Sequence, residues 1–264
     1  MTLTDLIKSF FTHKDFLPPA SEIPGTMFTP LHFIISGIAL ALVIALGLYF
    51  SKRSERVVRI TFAVLWASAV VLEIVKISWE TLSGRTASFE WGGVLPLYPC
   101  SVFMYAMPFA IWGRGLVRRA ASGYVCTLGV LGATVNFVYP ATVMSNYSAI
   151  SFAGFHTVFY HCTMLFVAFV MLRSGYHSFR GVRRWYELFL PALPLLFVSV
   201  IANAVNFSKI GSDYMFFRLS SFFFAPIGAA LPTPVCVLIV YILYLIIHAV
   251  PYLPSYVANK RRSA

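Results

Sequence analysis

Charged residues are scarce in this sequence. Only 11% of its 264 residues are Asp, Glu, Lys or Arg, whereas 59% are hydrophobic. A soluble domain of this length would carry about a quarter charged residues. A large buried core does not account for the deficit, because a compact domain still covers its surface with polar groups. The composition excludes an ordinary soluble domain and predicts a protein that lies in lipid.

Motifs of cofactor and metal chemistry are absent as well. No glycine-rich loop that would cradle a phosphate is present, and no cysteine pair has the spacing of a metal site. The four cysteines, which all lie in apolar segments, are Cys100, Cys126, Cys162 and Cys236. Such cysteines are typical of buried thiols rather than of a disulfide framework. We therefore predict no cofactor and no metal.

Acidic residues are too few to balance the basic ones, and the net charge is +11. A basic patch is the usual footprint of nucleic-acid binding. Here the Lys and Arg residues form short clusters between long apolar runs, which is the placement that membrane orientation requires. We predict membrane lipids as partners and no nucleic acid.

The apolar runs divide the chain into three parts. Residues 1–29 lack the apolar core of a signal peptide and have apolar residues at helical spacing, which predicts an amphipathic segment at the membrane interface. Residues 30–250 form a transmembrane helical bundle, and residues 251–264 a basic cytoplasmic tail. A spanning helix needs about 20 mostly apolar residues. The predicted spans are Leu31–Phe50, Val57–Ser78, Val94–Trp112, Ala120–Ala141, Ser151–Leu172, Tyr186–Asn206 and Thr233–Val250.

The basic residues predict the orientation of this all-α, polytopic bundle. Fourteen of the twenty Lys and Arg residues lie in the loops 51–59, 113–119 and 173–185 and in the tail. Cytoplasmic loops carry such an excess. The alternation holds at every turn only with about seven spans, the N-terminus outside and the C-terminus in the cytoplasm. The apolar run Met215–Leu231 contains Arg218, Pro226 and Gly228, and we predict a re-entrant or surface segment there.

Strongly polar residues within the spans fall mainly in the predicted outer half. Ionisable groups at membrane depth are costly and are functional candidates by default. Glu73 and Lys76 share one helix face, since they lie three residues apart. An outward-opening polar cavity would explain the whole set. In the alternative interpretation, each residue bonds a neighbouring helix, as the i, i+4 and i+7 spacing of Ser199, Asn203 and Asn206 indicates.

The third predicted span begins with two prolines and a cysteine. Either Pro96 or Pro99 is expected to open the helix, because proline suits the first turn. Cys100 then lies within that turn or just beyond it, where the helix dipole stabilises a thiolate. Apolar burial has the opposite effect on the thiol, so an inert cysteine is the alternative.

The fifth predicted span supplies two candidate bases, His156 and His161. Five residues separate them, which is about 140° around a helix, so they do not form the i, i+4 pair of a zinc site. His161 lies deeper and has the greater need of a partner. His156 is closer to Cys100 in expected depth, which favours the other pairing. We take Cys100 and His161 as the candidate pair.

At these residues the chain resembles the bacterial YwaF-type integral membrane proteins. That family is related to the eukaryotic transmembrane protein 164 group and, more distantly, to the androgen-induced-gene lipid hydrolases. The resemblance covers about residues 60–250. It is carried by Leu95-Pro96-Leu97-Tyr98-Pro99-Cys100, Asn136-Phe137-Val138-Tyr139-Pro140, Phe155-His156 through His161, and Asp213-Tyr214-Met215-Phe216. The family's short motif usually has a histidine at the position of Tyr98, so any assistance from that histidine is missing here.

The resemblance implies a multi-pass protein of a bacterial plasma membrane that moves acyl groups between lipids, or hydrolyses lipid esters, through a cysteine and a histidine. Cys100 would be the nucleophile and His161 the general base. Asn136 or helix-end N–H groups would stabilise the oxyanion. The candidate substrate-binding residues are Glu73, Lys76, Tyr98, Asn136, His156, Asn203, Asp213 and Tyr214. The alternative is a transporter or small-molecule-binding protein with an outward-facing polar cavity and no thiol chemistry.

Overall fold

A computed structural model describes residues 2–85, 95–208, 213–220 and 224–263 of the chain. Within these ranges the regular structure is entirely helical, which confirms the predicted all-α class. In chain order the α-helices are α1 (Leu3–Lys8), α2 (Pro30–Phe50), α3 (Glu55–Ser83), α4 (Val102–Trp112), α5 (Gly115–Tyr124), α6 (Val130–Val138), α7 (Ala141–Met144), α8 (Phe152–Arg173), α9 (Leu193–Phe207), α10 (Ala225–Ala230), α11 (Thr233–Ala249) and α12 (Leu253–Ser263).

Six helical stretches are long and apolar enough to cross a membrane. They are Pro30–Phe50, Glu55–Ser83, Gly115–Val138, Phe152–Arg173, Leu190–Phe207 and Thr233–Arg262. Each overlaps one predicted span, so a polytopic helical bundle is confirmed. In each of the first two, only 17% of an 18-residue apolar stretch is buried within the protein, as expected for helices whose side chains face lipid. The number of spans and their orientation remain predictions.

The third predicted span differs from the others. Its helix, α4, covers only the 11 residues Val102–Trp112. At 1.5 Å per residue this length is about 16 Å, roughly half of the ~30 Å hydrocarbon layer. Residues 95–101 have no regular helix, and the predicted start at Val94 lies outside the described residues.

The predicted re-entrant or surface segment contains only short helices among its described residues. A single 3-10 turn covers Tyr214–Phe216, and α10 covers six residues. Residues 221–223 of this segment lie outside the described residues. The backbone has positive φ at Met215, Phe216 and Leu219, a conformation that side-chain-bearing residues rarely adopt. The described part of this segment therefore does not continue as a spanning helix.

The described residues belong to two compact units, Met1–Glu90 with Leu131–Val170 and Trp91–Val130 with Met171–Ala264. The first unit contains α2, α3 and α8. In it the N-terminal segment bonds to the helices: the indole N–H of Trp79 donates to Phe11 O (2.9 Å), and Phe152 N–H donates to Phe10 O (2.8 Å). These bonds attach the predicted interfacial segment to α3 and α8.

Helices α2 and α8 of the first unit run in the same direction. Ahead of α2, Met27 N–H donates to Met144 O (2.9 Å), just upstream of α8. Near the other end of α2, Gly47 packs directly on the ring of Phe169. A Cβ at Gly47 would lie 2.5 Å from Cδ1 of that ring, so the close approach requires glycine here.

The second unit contains α4, α5, α9, α11 and α12. The Arg119 guanidinium is 3.0 Å from the Glu187 carboxylate, and Tyr176 OH donates to Ala110 O (2.8 Å). These contacts join α5 and α4 to the connection between α8 and α9. The helical stretch that begins with α5 passes into α6 through a π-helical segment, Val125–Gly129. Such segments are rare and often occur at functional sites.

Candidate functional site

The candidate nucleophile, Cys100, lies in an irregular segment of the second unit. Helix α4 begins at Val102 with Ser101 as its N-cap, so neither Pro96 nor Pro99 opens the helix as expected. The N–H groups of Phe103 and Met104 donate to the carbonyls of Cys100 (3.1 Å) and Ser101 (3.0 Å). Because these two amides are already bonded, they are poor candidates for the predicted helix-end oxyanion donors.

Tyrosine hydroxyls hold this irregular segment in place. Tyr124 OH donates to the carbonyl of Pro99, next to Cys100. Leu95 N–H donates to the hydroxyl of Tyr214 (3.0 Å). These bonds replace the helical hydrogen bonds that residues 95–101 lack, since backbone polar groups at membrane depth must be satisfied within the protein.

The Cys100 side chain is partly exposed, whereas Cys126 and Cys236 of the same unit are buried. The phenol groups of Tyr98, Tyr124 and Tyr244 lie close enough to the Cys100 thiol to interact with it electrostatically. Partial exposure is what a reactive thiol requires, and buried thiols are generally inert.

Two other candidate residues of the second unit, Tyr98 and Tyr214, pack against each other with ring centroids 5.0 Å apart. Tyr98 also lies 5.6 Å from the ring of Phe216. Burial is the main cause that raises the pKa of Tyr214 above its usual value. The Tyr214 phenol is therefore neutral at pH 7 and acts as a hydrogen-bonding aromatic group.

The carboxylate of Asp213 binds its own loop. It accepts from Arg218 N–H (2.7 Å), Ser220 N–H (3.1 Å) and the Ser220 hydroxyl (2.6 Å). The side-chain amide of Asn206 pairs with the backbone of Tyr214 through two hydrogen bonds of 2.8 Å. The backbone carbonyl of Asn206 accepts from the Arg218 guanidinium. These contacts support the unusual backbone of residues 213–220 and give Asp213 a structural role beside the predicted substrate-binding one.

Asn203 bonds across to another helix of the second unit. Its amide donates to the hydroxyl of Tyr241 (3.1 Å), which also lies 2.8 Å from the Ser199 hydroxyl. Ser199 and Asn203 lie on α9, and Tyr241 lies on α11. This is the helix-to-helix bonding of which the i, i+4 spacing is typical.

Three candidate residues of the first unit form an ionisable cluster. The Glu73 carboxylate lies 2.9 Å from His156 Nε2 and 3.6 Å from Lys76 Nζ. The His156 contact is close but lacks the alignment of a good hydrogen bond. Glu73 and His156 are both buried. A buried charge is strongly unfavourable unless it is paired, so the Lys76 ammonium and the contact with the His156 ring stabilise the Glu73 carboxylate.

His161 and Asn136 also meet in the first unit. His161 Nδ1 lies 2.8 Å from Thr157 O and 3.3 Å from Asn136 Nδ2. One ring nitrogen cannot both donate to the carbonyl and accept from the amide. Donation to Thr157 O is the shorter contact, and it places the proton on Nδ1. In that tautomer the lone pair is on Nε2, where a general base needs it.

The candidate residues thus fall into two groups. The first unit contains Glu73, Lys76, Asn136, His156 and His161, and the second contains Tyr98, Cys100, Asn203, Asp213 and Tyr214. Because Cys100 and His161 belong to different units, their pairing stays a prediction. In the part of the chain that the structure describes, no group of three or more His, Cys, Asp or Glu side chains could hold a metal ion.

Sequence reasoning did not identify Tyr124 and Arg218, whose hydrogen bonds support the backbone around the candidate residues. Tyr124 carries no signal, since a tyrosine in an apolar helix is usually a core residue. Arg218 could have been found, because an arginine within an apolar run requires a buried acceptor.

The chain is similar to a known family of proteins. The TMEM164 family model matches residues 27–252, which is most of the chain. No curated protein and no solved structure matches.

Proposed function

The chain belongs to the TMEM164 family of membrane proteins, and from that premise we propose that it transfers acyl groups between membrane lipids, or hydrolyses lipid esters, through Cys100. One observation carries the proposal. Cys100 is a partly exposed thiol on an irregular segment that precedes a helix of only 11 residues, and tyrosine hydroxyls hold that segment. A backbone that departs from the helix within an apolar region is favourable only where the protein bonds it, and here it presents a thiol.

In the proposed reaction the Cys100 thiol loses its proton to His161, and the sulfur attacks the carbonyl carbon of a lipid ester. Collapse of the tetrahedral intermediate breaks the bond to the alcohol oxygen. The leaving alcohol takes the proton from His161, and the acyl group remains as a thioester on Cys100. A second lipid hydroxyl, or water, then attacks the thioester and gives its proton to His161, and the thiolate leaves to be reprotonated.

His161 suits the role of base because its contact with Thr157 O favours the tautomer with a free Nε2 lone pair. We keep Asn136 as the proposed oxyanion donor, since its amide N–H, 3.3 Å from Nδ1, cannot donate to a nitrogen that already carries a proton. The cluster of Glu73, Lys76 and His156 offers both signs of charge within the same unit. We propose that this cluster receives the polar headgroup of the lipid.

The test compares lipid profiles of membranes from cells that express the wild type, Cys100→Ala or His161→Ala at matched protein levels. We expect the wild type to change the acyl composition and both variants to abolish that change. Cys162→Ala is the matched control, because Cys162 is also partly exposed but lies on α8. Equal profiles for the wild type and Cys100→Ala would remove the thiol mechanism.

A transporter or small-molecule-binding protein is the second candidate. It is favoured by the ionisable cluster of Glu73, Lys76 and His156, which forms without any thiol. Under this alternative Glu73→Gln abolishes the activity, whereas Cys100→Ala does not. The acyl-transfer proposal expects Cys100→Ala to be the more damaging of the two.

A further inference from the structure

One face of α2 carries two polar side chains that are buried, although most of this helix faces outward. His32 is 1% exposed and Ser36 is 7% exposed. Their neighbours Phe33, Ile34 and Ile38 are each more than half exposed. His32 and Ser36 are four residues apart, so their side chains lie one above the other on the inner face of the helix.

Both side chains have a polar atom without a partner. Nε2 of His32 and Oγ of Ser36 are buried and have no hydrogen-bond partner within the described ranges. Helical hydroxyls usually donate to the carbonyl four residues earlier, as Thr61 (3.0 Å) and Ser78 (2.9 Å) do on α3. The Ser36 hydroxyl does not make that bond.

The ring of His32 is fixed so that its free nitrogen is a donor. Nδ1 accepts from the N–H of Phe28 (3.3 Å), so a neutral ring carries its proton on Nε2. Phe28 has φ +65°, a strained conformation for a side-chain-bearing residue. A buried donor without an acceptor is itself unfavourable. Two such donors one turn apart indicate that an acceptor from outside the chain binds there.

The two donors lie at the level of the ionisable cluster of the first unit. Helices α2 and α8 run in the same direction and touch at Gly47 and Phe169. Both helices rise equally per residue, so counting back from this contact pairs Ser36 with Val158 and His32 with Gly154. His156, which contacts Glu73, lies between these two levels.

We propose that His32 and Ser36 are binding residues for a lipid headgroup and donate hydrogen bonds to one of its phosphate or ester carbonyl oxygens. An oxygen with two lone pairs can accept from both donors at once. The inference rests on the proposed function, because it takes the bound lipid to be the substrate of that site.

The test measures lipid binding to the purified full-length chain by native mass spectrometry. A Cys100→Ser background separates binding from any acyl transfer. With phosphatidylglycerol as the probe, we expect Ser36→Ala to weaken binding about tenfold, the effect of one lost hydrogen bond to a charged acceptor. Ser78→Ala is the matched control and should bind as the background does, because the Ser78 hydroxyl bonds its own helix.

Substitution of His32 provides an independent arm. His32→Leu should weaken binding, and His32→Gln should restore part of it, since a glutamine amide can place an N–H near the position of Nε2. An ether-linked phospholipid retains the phosphate without ester carbonyls, and diacylglycerol retains the esters without phosphate. If only the ether-linked phospholipid binds in a way that depends on Ser36, the phosphate is the acceptor. If diacylglycerol binds in that way, the ester carbonyl is the acceptor.

The proposal is overturned if Ser36→Ala and His32→Leu bind all three lipids as tightly as the background does. In that case a Tm of lipid-free Ser36→Ala above that of the background would show that the Ser36 hydroxyl is a destabilising buried group that binds no ligand. A different outcome separates the two proposals. If these variants lose lipid binding but the wild type and Cys100→Ala give equal membrane lipid profiles, the binding site is retained and acyl transfer is rejected.

Discussion

At the scale of single residues, His177 is a buried titratable group that lies outside the spanning helices. It lies between α8 and α9, and its Nε2 is 2.8 Å from the hydroxyl of Tyr252. Burial lowers the pKa of His177 to about 4, and the nearby Arg119 acts in the same direction. The folded protein therefore disfavours the protonated ring.

We expect His177 to make the protein less stable in mild acid. Its folded pKa lies below the usual value near 6.5, so its contribution is fully present above pH 6.5 and is lost as the pH falls toward 4. By pH 5 the loss is about 2 kcal/mol. The check is the Tm of the purified protein in detergent between pH 7 and 5. His177→Gln does not titrate and should lose less Tm than the wild type; an equal fall in both proteins would contradict this assignment.

At the scale of elements, two hydrogen bonds between Asn206 of α9 and Tyr214 hold the loop 213–220, and we call this pair of bonds the clamp. Asn206 is 2% exposed and bonds both backbone groups of Tyr214. Asn206→Ala leaves a buried N–H and a buried C=O unpaired, at a cost of about 2–4 kcal/mol. We expect a lower Tm and faster proteolysis within residues 213–220. Asn146→Ala, which removes an exposed side chain, should change the Tm little; equal Tm values for the two variants would show that the clamp is not stabilising.

The start of α4 was predicted less well than those of α2 and α8, because the residues that mark a helix start differ between them. Helices α2 and α8 are long apolar runs with clear ends, and Glu73 and Lys76, which the i, i+3 spacing predicts on one helix face, lie 3.6 Å apart. Pro96 and Pro99 suit a first helical turn, yet α4 begins only at Val102. The bonds that hold residues 95–101 come from Tyr124 and Tyr214, which are distant in the sequence, so no local pattern could reveal them.

The same difference applies to the candidate site. Residue types identified the ionisable groups, because charges in apolar runs stand out. Their partners were less predictable: Glu73 contacts His156 across two helices, a contact that depends on tertiary packing. His32 and Ser36 were not singled out, since one histidine and one serine near the start of an apolar helix are ordinary. Only their burial and their lack of partners distinguish them.

At the scale of the whole molecule, the open question is how α4 relates to the membrane, and the positions of the two chain ends answer it. Seven spans place the ends on opposite sides, whereas six place them on the same side. The basic loops predict seven spans with the N-terminus outside. Helix α4 is about half the length of a full span, so a re-entrant α4 would leave the six long stretches as the spans.

Protease treatment of intact and permeabilised cells that carry an epitope tag at one end of the chain separates these cases. We expect an N-terminal tag to be cleaved in intact cells and a C-terminal tag to be cleaved only after permeabilisation. A tag inserted at Gly181, in the basic loop after α8, serves as the cytoplasmic reference and should behave like the C-terminal tag. Both end tags on one side would instead establish an even number of spans. Cys100 would then lie on a re-entrant segment, with α4 covering only half of the hydrocarbon layer.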